Sequence, residues 1–273
     1  MSTQRPLGVS TSLLGNCLGN DWPEEALATL AASPIRHIEY FCTEERFRDE
    51  EHIGRLKRSA AEHGITFWSV HAPFGATDIS QLDENGRTES VENVVRALDL
   101  AKQLGAGIVV THASREPIDD EQRRPRLVQC VRSLNELCKR ASQRGILIAL
   151  ETLPRTCLAN RSSEMRWILD IVDGDLRVCY DVNHITLYED VGESLRALRD
   201  RIATLHISDH DGVDERHWIP GRGVIDWPGF LGGLDEMGYE GCLLHEAMAK
   251  DQDLAGNLAT IAQAAKENLG WQG

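Results

Sequence analysis

No Cys-x-x-Cys pair occurs in this chain of 273 residues, although it holds seven cysteines. Cys17, Cys42, Cys130, Cys138, Cys157, Cys179 and Cys242 are scattered and odd in number. That spacing argues against a thiolate metal cluster and against a disulfide framework. They read as reduced, mostly buried small apolar residues of a cytoplasmic protein. No apolar run approaches the ~20 residues that a membrane span needs. Residues 1–8 are polar and lead into a candidate strand, so no signal peptide is expected. Cations are also in deficit: 29 Lys and Arg face 43 Asp and Glu, a net charge of −14. Non-specific attraction to nucleic acid depends on cations that neutralise phosphates, so this balance disfavours nucleic acid as a partner, although a local basic patch can coexist with it. No linker, low-complexity tract or composition break divides the chain, and one domain over residues 1–273 is expected.

What is present is a repeat of apolar runs that end on polar residues. The runs are 7–10, 35–39, 65–71, 108–112, 146–151, 176–181, 202–206 and 242–246, and they end on Ser10, Glu39, His71, His112, Glu151, Asp181, His206 and Glu246. A buried strand must bring its last polar side chain out at a rim or leave it unpaired at a cost of several kcal/mol. The ends recur at intervals averaging about 34 residues, enough for a strand, a helix and two loops. Helical patterns fill the gaps at 23–32, 44–63, 89–104, 126–144, 162–172, 192–200, 227–237 and 254–267. Three of them stop at Gly64, Gly105 and Gly145, each just ahead of a strand, where glycine accepts the left-handed conformation that ends a helix. Strand and helix alternating in this way predict a parallel sheet. Eight repeats near a total of roughly 250 residues predict a single (β/α)8 TIM barrel, with all eight end residues at one mouth. An open doubly wound sheet is the competing architecture, but no GxGxxG follows the first strand.

Four neighbouring strands end on Glu151, Asp181, His206 and Glu246. Three carboxylates and one imidazole repel themselves without a cation, and the oxygen majority suits Mn, Mg, Co or Zn, with the harder ions favoured. His71 and His112 come in on the third and fourth strands. His184 lies three residues past Asp181, and Glu215 and His217 sit in the loop after the seventh strand. Taken alone, a His at a strand end is more often a hydrogen-bonded structural group than a ligand. His37, His52, His63 and His210 have no comparable support, and alternation sends His245 to the face opposite Glu246. Glu39 is open between binding a substrate hydroxyl and pairing with Arg36. Trp22, Trp218 and Phe74 lie in rim loops, where packing on the barrel competes with stacking on a substrate. Arg155 and Arg222 are the candidate phosphate handles.

These residues resemble the xylose-isomerase-like barrels, which include sugar phosphate isomerases and epimerases and the apurinic endonuclease IV family. The resemblance spans nearly the whole chain. It is carried by Ser69-Val-His71-Ala-Pro-Phe74, Val109-Val-Thr-His112, Glu151-Thr152, Cys179-Tyr-Asp181-Val-Asn-His184, Leu205-His206-Ile-Ser-Asp209 and Leu244-His-Glu246. The most specific match is Glu215-Arg-His217-Trp-Ile-Pro-Gly221-Arg-Gly223-Val-Ile-Asp226-Trp227. In the epimerase branch the resemblance implies one divalent metal on Glu151, Asp181, His206 and Glu246. There the two glutamates, Glu151 and Glu246, are also the catalytic pair that exchanges the substrate proton. His184 and an Arg after the seventh strand would contact substrate oxygens, with Arg216 the first match and Arg222 the second. In the endonuclease branch it implies up to three Zn on His71, His112, Glu151, Asp181, His184, His206, His217, Glu246 and an Asp where this chain has Glu215. The stretch Ala72-Pro-Phe-Gly-Ala-Thr77 and the acidic balance depart from the nuclease pattern. The reading is therefore a metal-dependent sugar isomerase or epimerase, with a lyase or dehydratase as a variant. A zinc phosphoesterase of the endonuclease IV type is the alternative. A small sugar is the expected partner, and barrels of this type often pair, so a homodimer is one expected assembly.

Overall fold

The structure, a computed structural model, describes residues 5–14, 24–43, 50–75, 77–250 and 252–272. Each apolar run forms a strand: β1 (Leu7–Ser10), β2 (His37–Phe41), β3 (Thr66–His71), β4 (Ile108–Thr111), β5 (Leu147–Glu151), β6 (Leu176–Asp181), β7 (Ile202–His206) and β8 (Leu243–His245). Between them lie α1 (Thr11–Leu14), α2 (Glu24–Ala31), α3 (Glu50–Glu62), α4 (Glu84–Leu104), α5 (Asp120–Ser142), α6 (Ser162–Ile171), α7 (Val182–Ile185), α8 (Val191–Leu198) and α9 (Trp227–Glu236), with α10 (Leu254–Asn268) after β8.

The strands pair in parallel in the order β7-β6-β5-β4-β3-β2-β1-β8. The seam between β7 and β8 is closed by a bridge of Ile207 to His245. There Ile207 N–H donates to the Leu244 carbonyl at 2.9 Å and Glu246 N–H to the Ile207 carbonyl at 3.0 Å. This is a single (β/α)8 barrel, as the repeat predicts. Its main core lies between sheet and helices, where Tyr40, Leu98, Leu134, Leu137, Leu150 and Tyr180 are buried. Tyr180 keeps its hydroxyl satisfied on Ser194 at 2.8 Å. A smaller cluster of Ile108, Val110, Ala149 and Cys179, with Trp68 and Ala203 packed on it, fills the barrel interior.

Gly64, Gly105 and Gly145 all have positive φ, the conformation that ends the preceding helix. Several helices start earlier than periodicity suggests. Asp83 caps α4 through Gly86 N–H at 2.8 Å, and Asp190 caps α8 through Glu193 N–H at 2.9 Å. Such caps lie outside the apolar stripe, so the stripe alone starts the helix late. Helix α5 begins six residues ahead of Arg126 and holds Pro125 inside it. Pro125 removes one ladder bond near the start, and Asp120 and Glu121 in the first turn favour the helix dipole.

Strand β2 differs in a way that matters for the site. Glu39 is not its last residue, because the strand runs on to Phe41. Glu39 and Phe41 share the inward face, so Glu39 lies one layer below the mouth. The β2–β3 register shifts between Ile38 and Glu39 and sets Glu39 opposite Ser69. The six described cysteines are buried, and no disulfide links them; Cys17 lies outside the described residues. Among the described residues no helix is long and apolar enough to cross a membrane.

Candidate metal centre

The mouth of the barrel gathers the polar strand ends. Glu151, Asp181, His206 and Glu246 are all buried, and one ligand-type atom from each lies within 4.8 Å of the others. His206 Nδ1 stands 3.2 Å from Glu151 Oε1, 3.3 Å from Glu246 Oε2 and 3.7 Å from Asp181 Oδ2. Asp181 Oδ2 has no hydrogen-bond partner although it is buried. An orphaned carboxylate oxygen facing two other carboxylates and one imidazole nitrogen is what a divalent cation would satisfy. The donor set fits a hard or borderline divalent ion.

Two further groups of donors flank this one. His71, His112 and Glu151 form the first, with Glu151 Oε2 at 3.1 Å from His71 Nε2 and 3.0 Å from His112 Nε2. Glu151 thus belongs to both groups, one oxygen facing each. Burial works to raise its pKa, yet the His206 and His112 imidazoles hold it well below the usual carboxylate range. The second flanking group is His184, Glu215 and His217. His184 Nε2 lies 2.7 Å from Glu215 Oε2. Burial opposes protonation of His184, but Asp181 and Glu215 push its pKa up to about 10. The His184 imidazole in turn takes Glu215 down to about 2 against burial, with Arg155 assisting.

Local structure explains these placements. Asp181 is the N-cap of α7, accepting from His184 N–H at 3.0 Å. One short helical turn therefore folds His184 back over the carboxylate that precedes it. His217 has a left-handed backbone, φ 49°, rare for a non-glycine residue and common where a site imposes strain. Its carbonyl accepts from Met248 N–H at 3.2 Å, and its Nδ1 lies 3.2 Å from the Glu246 carbonyl.

Glu39 does not pair with Arg36. Arg36 instead donates to the carbonyls of Leu30, Ser33 and Ile35. Glu39 Oε1 lies 3.0 Å from His206 Nε2, and its Oε2 accepts from Ser69 Oγ at 2.8 Å. All three residues are fully buried. With a cation bound, the Glu39 carboxylate would keep the proton on His206 Nε2 and leave Nδ1, which faces Glu151, Asp181 and Glu246, as the ligand atom. The register shift at Glu39 is what makes this contact, and hydrophobic alternation does not reveal it.

The loop after β7 is built on another carboxylate that the strand ends do not include. Asp209 is fully buried. It accepts five N–H groups: Gly221 and Gly223 at 2.9 Å, Ile225 at 3.2 Å, Trp227 Nε1 at 3.1 Å and His210 at 3.0 Å. This explains the Pro-Gly-x-Gly-x-Ile-Asp-Trp run. A Cβ on Gly223 would fall 2.0 Å from the His210 carbonyl, so the backbone can close on Asp209 only without a side chain there. The signal readable in advance was the glycine and Trp spacing itself.

Above the carboxylates lies a cavity of about 470 Å³ lined by His71, His112, Glu151, His184, Glu215, His217 and Glu246, with Leu13, Phe41, Phe74 and Leu153 as its apolar wall. Phe74 stacks on His112 at 5.2 Å and 8°. Arg155 is tied to Glu116, Asp214 and Glu215 at 2.5, 3.0 and 2.7 Å, so its charge is spent within the rim. Arg216 does not line this cavity; it pairs with Asp211 at 2.6 Å and faces a neighbouring one. His245 sits away from the carboxylates, its Nδ1 3.0 Å from the Leu243 carbonyl, and burial takes its pKa down to about 4. Trp22 lies outside the described residues.

A family model described as xylose isomerase-like TIM barrel matches residues 27–272. MJ1311 of Methanocaldococcus jannaschii is 29% identical over 181 residues, 64% of this chain and 62% of its own length. The fructoselysine 3-epimerase of Escherichia coli O157:H7 is 28% identical over 166 residues, 58% of this chain and 59% of its own. The match thus spans less than two thirds of either relative. Among solved structures, a D-tagatose 3-epimerase-like protein superposes with a TM-score of 0.84 at 24% identity over 97% of each chain, which shows a shared fold.

Proposed function

The chain belongs to the xylose isomerase-like TIM barrel family, and from that premise we propose that it is a divalent-metal-dependent sugar epimerase or isomerase. The observation that carries the reading is the pair Glu151 and Glu246. Glu151 ends β5 and Glu246 directly follows β8, three strands apart round the barrel, and both line the same cavity. A ketose seated between them has a carboxylate on either face. Glu151 takes the hydrogen beside the carbonyl, and Glu246 returns one from the other side, which is what epimerisation requires. Phe41, Phe74, Leu13 and Leu153 limit the water that competes for that proton. Glu151, Asp181, His206 and Glu246 would hold a divalent cation, which would supply Lewis acidity for the negative charge that develops on the sugar. The names of the fructoselysine and tagatose 3-epimerases support a sugar as the substrate.

A zinc phosphoesterase of the endonuclease IV type is the second reading. The two flanking groups, His71–His112–Glu151 and His184–Glu215–His217, favour it because they offer places for further cations. Elemental analysis of freshly purified protein, with a ketose panel run in deuterated water, separates the two. About one equivalent of divalent metal per chain and deuterium entering the epimerised ketose support the epimerase. Two or three equivalents of zinc with phosphodiester cleavage and no exchange would replace it.

Glu39 has a consequence for the same site. Loss of a carboxylate behind a ligating imidazole costs about 10–100-fold in metal affinity. Glu39→Gln is expected to show that loss in a chelator competition with Mn2+ while still folding, because Gln keeps an acceptor for Ser69. An unchanged affinity would reduce Glu39 to a structural role.

A further inference from the structure

Beside the cavity over the carboxylates lies a second one of about 390 Å³, and the two share Leu13 and His217. The second is basic. Arg216, Arg222 and Lys250 line it, in a chain of net charge −14. Asp211 answers Arg216. Arg222 and Lys250 have no carboxylate partner among the described residues, and the Arg222 guanidinium stands over the Trp218 ring at 5.1 Å.

Most surface cations are solvated and mobile, but Arg222 is not mounted like one. It sits between Gly221 and Gly223, whose N–H groups both donate to Asp209 Oδ2. Its own N–H donates to the Ile219 carbonyl at 3.1 Å. The buried carboxylate therefore pins the backbone on both sides of this exposed residue, and the Trp218 ring lies 5.1 Å from its guanidinium. A cation held this way loses less freedom on binding an anion than a free one would. Arg155, the other candidate handle, already meets three carboxylates and has no charge to offer.

We propose that this second cavity is an anion subsite that holds a phosphate or carboxylate at the end of the sugar remote from Glu151 and Glu246. It rests on the epimerase reading for the sugar itself. The substrate class is then an anionic ketose whose carbonyl end lies over the carboxylates. Its charged end passes His217 to reach Arg222 and Lys250.

The test uses metal-loaded protein and inorganic phosphate as the probe. Calorimetric titration is expected to show phosphate binding that weakens about ten-fold in Arg222→Ala, the worth of a hydrogen bond to a charged group, and partly recovers in Arg222→Lys. Equal affinity in all three proteins would place any bound phosphate elsewhere and overturn the subsite. A second measurement compares kcat/KM for a neutral ketohexose, its terminal phosphate and an analogue with a terminal carboxylate. The anionic preference is expected to appear in KM and to fall about ten-fold in Arg222→Ala, and the better anion identifies the source. A preference unmoved by Arg222→Ala sinks the proposal. If no ketose turns over but the phosphate titration still responds to Arg222, the epimerase reading fails and the subsite stands.

Discussion

Glu246→Gln is expected to abolish solvent deuterium incorporation into the ketose while the metal stays bound. Loss of a positioned acid–base group costs about 10²–10⁴ in rate, and an amide can neither take up nor deliver the proton. The substitution is close to isosteric, and its remaining oxygen can keep one of two present contacts, Ser12 Oγ at 2.6 Å or the edge facing His206. Glu246 is a cleaner test than Glu151. Glu151 touches His71, His112 and His206, so changing it disturbs several donors together. The measurement is the rate of deuterium entry by NMR, with metal content determined on the same sample. A variant that exchanges at the native rate with metal present would remove Glu246 from the chemistry. A variant that loses both would make it a ligand before a base.

The barrel was legible because its strands are buried on both faces and turn polar only at their ends. That pattern located all eight strands and brought Glu151, Asp181, His206 and Glu246 to one mouth. It failed where depth, rather than order, decides. Glu39 reads like the other strand ends, but two more residues of β2 and a register shift put it below the mouth, behind His206. Alternation cannot report a bulge, because a bulge changes the count on only one strand of the pair. Sequence offers Arg155 as a phosphate handle and, through the resemblance, Arg216 as a contact for substrate oxygens, but it does not show Asp211, Glu116 or Asp214 folding onto them. The turn that carries His184 is four residues long, too short for any helical period to mark it. Glu39 and the two arginines are settled by contacts between distant segments, and local pattern carries no information about such meetings.

Asp209 makes the same point with the larger energetic consequence. Asp209→Ala is expected to cost several kcal/mol, because five N–H donors would lose a buried acceptor and each unsatisfied buried group costs about 1–3 kcal/mol. Water entering the space left by the side chain recovers part of that, so a loss of about 3–5 kcal/mol, or roughly 10 °C in Tm, is the expected size. Asp209→Asn is the sharper variant. One amide edge would point N–H groups at donors where an oxygen now accepts, so near-identical volume should still be strongly destabilising. The damage is also directed. The loop that Asp209 gathers carries Glu215, His217 and Arg222, so metal retention and phosphate affinity should fall along with Tm in both variants. Thermal unfolding with and without Mn2+ checks this, since a ligand that binds only the folded state raises Tm by an amount that grows with the logarithm of its affinity. A variant within a degree of the parent, with the same Mn2+ increment, would show that the glycine-rich loop holds its shape without the carboxylate.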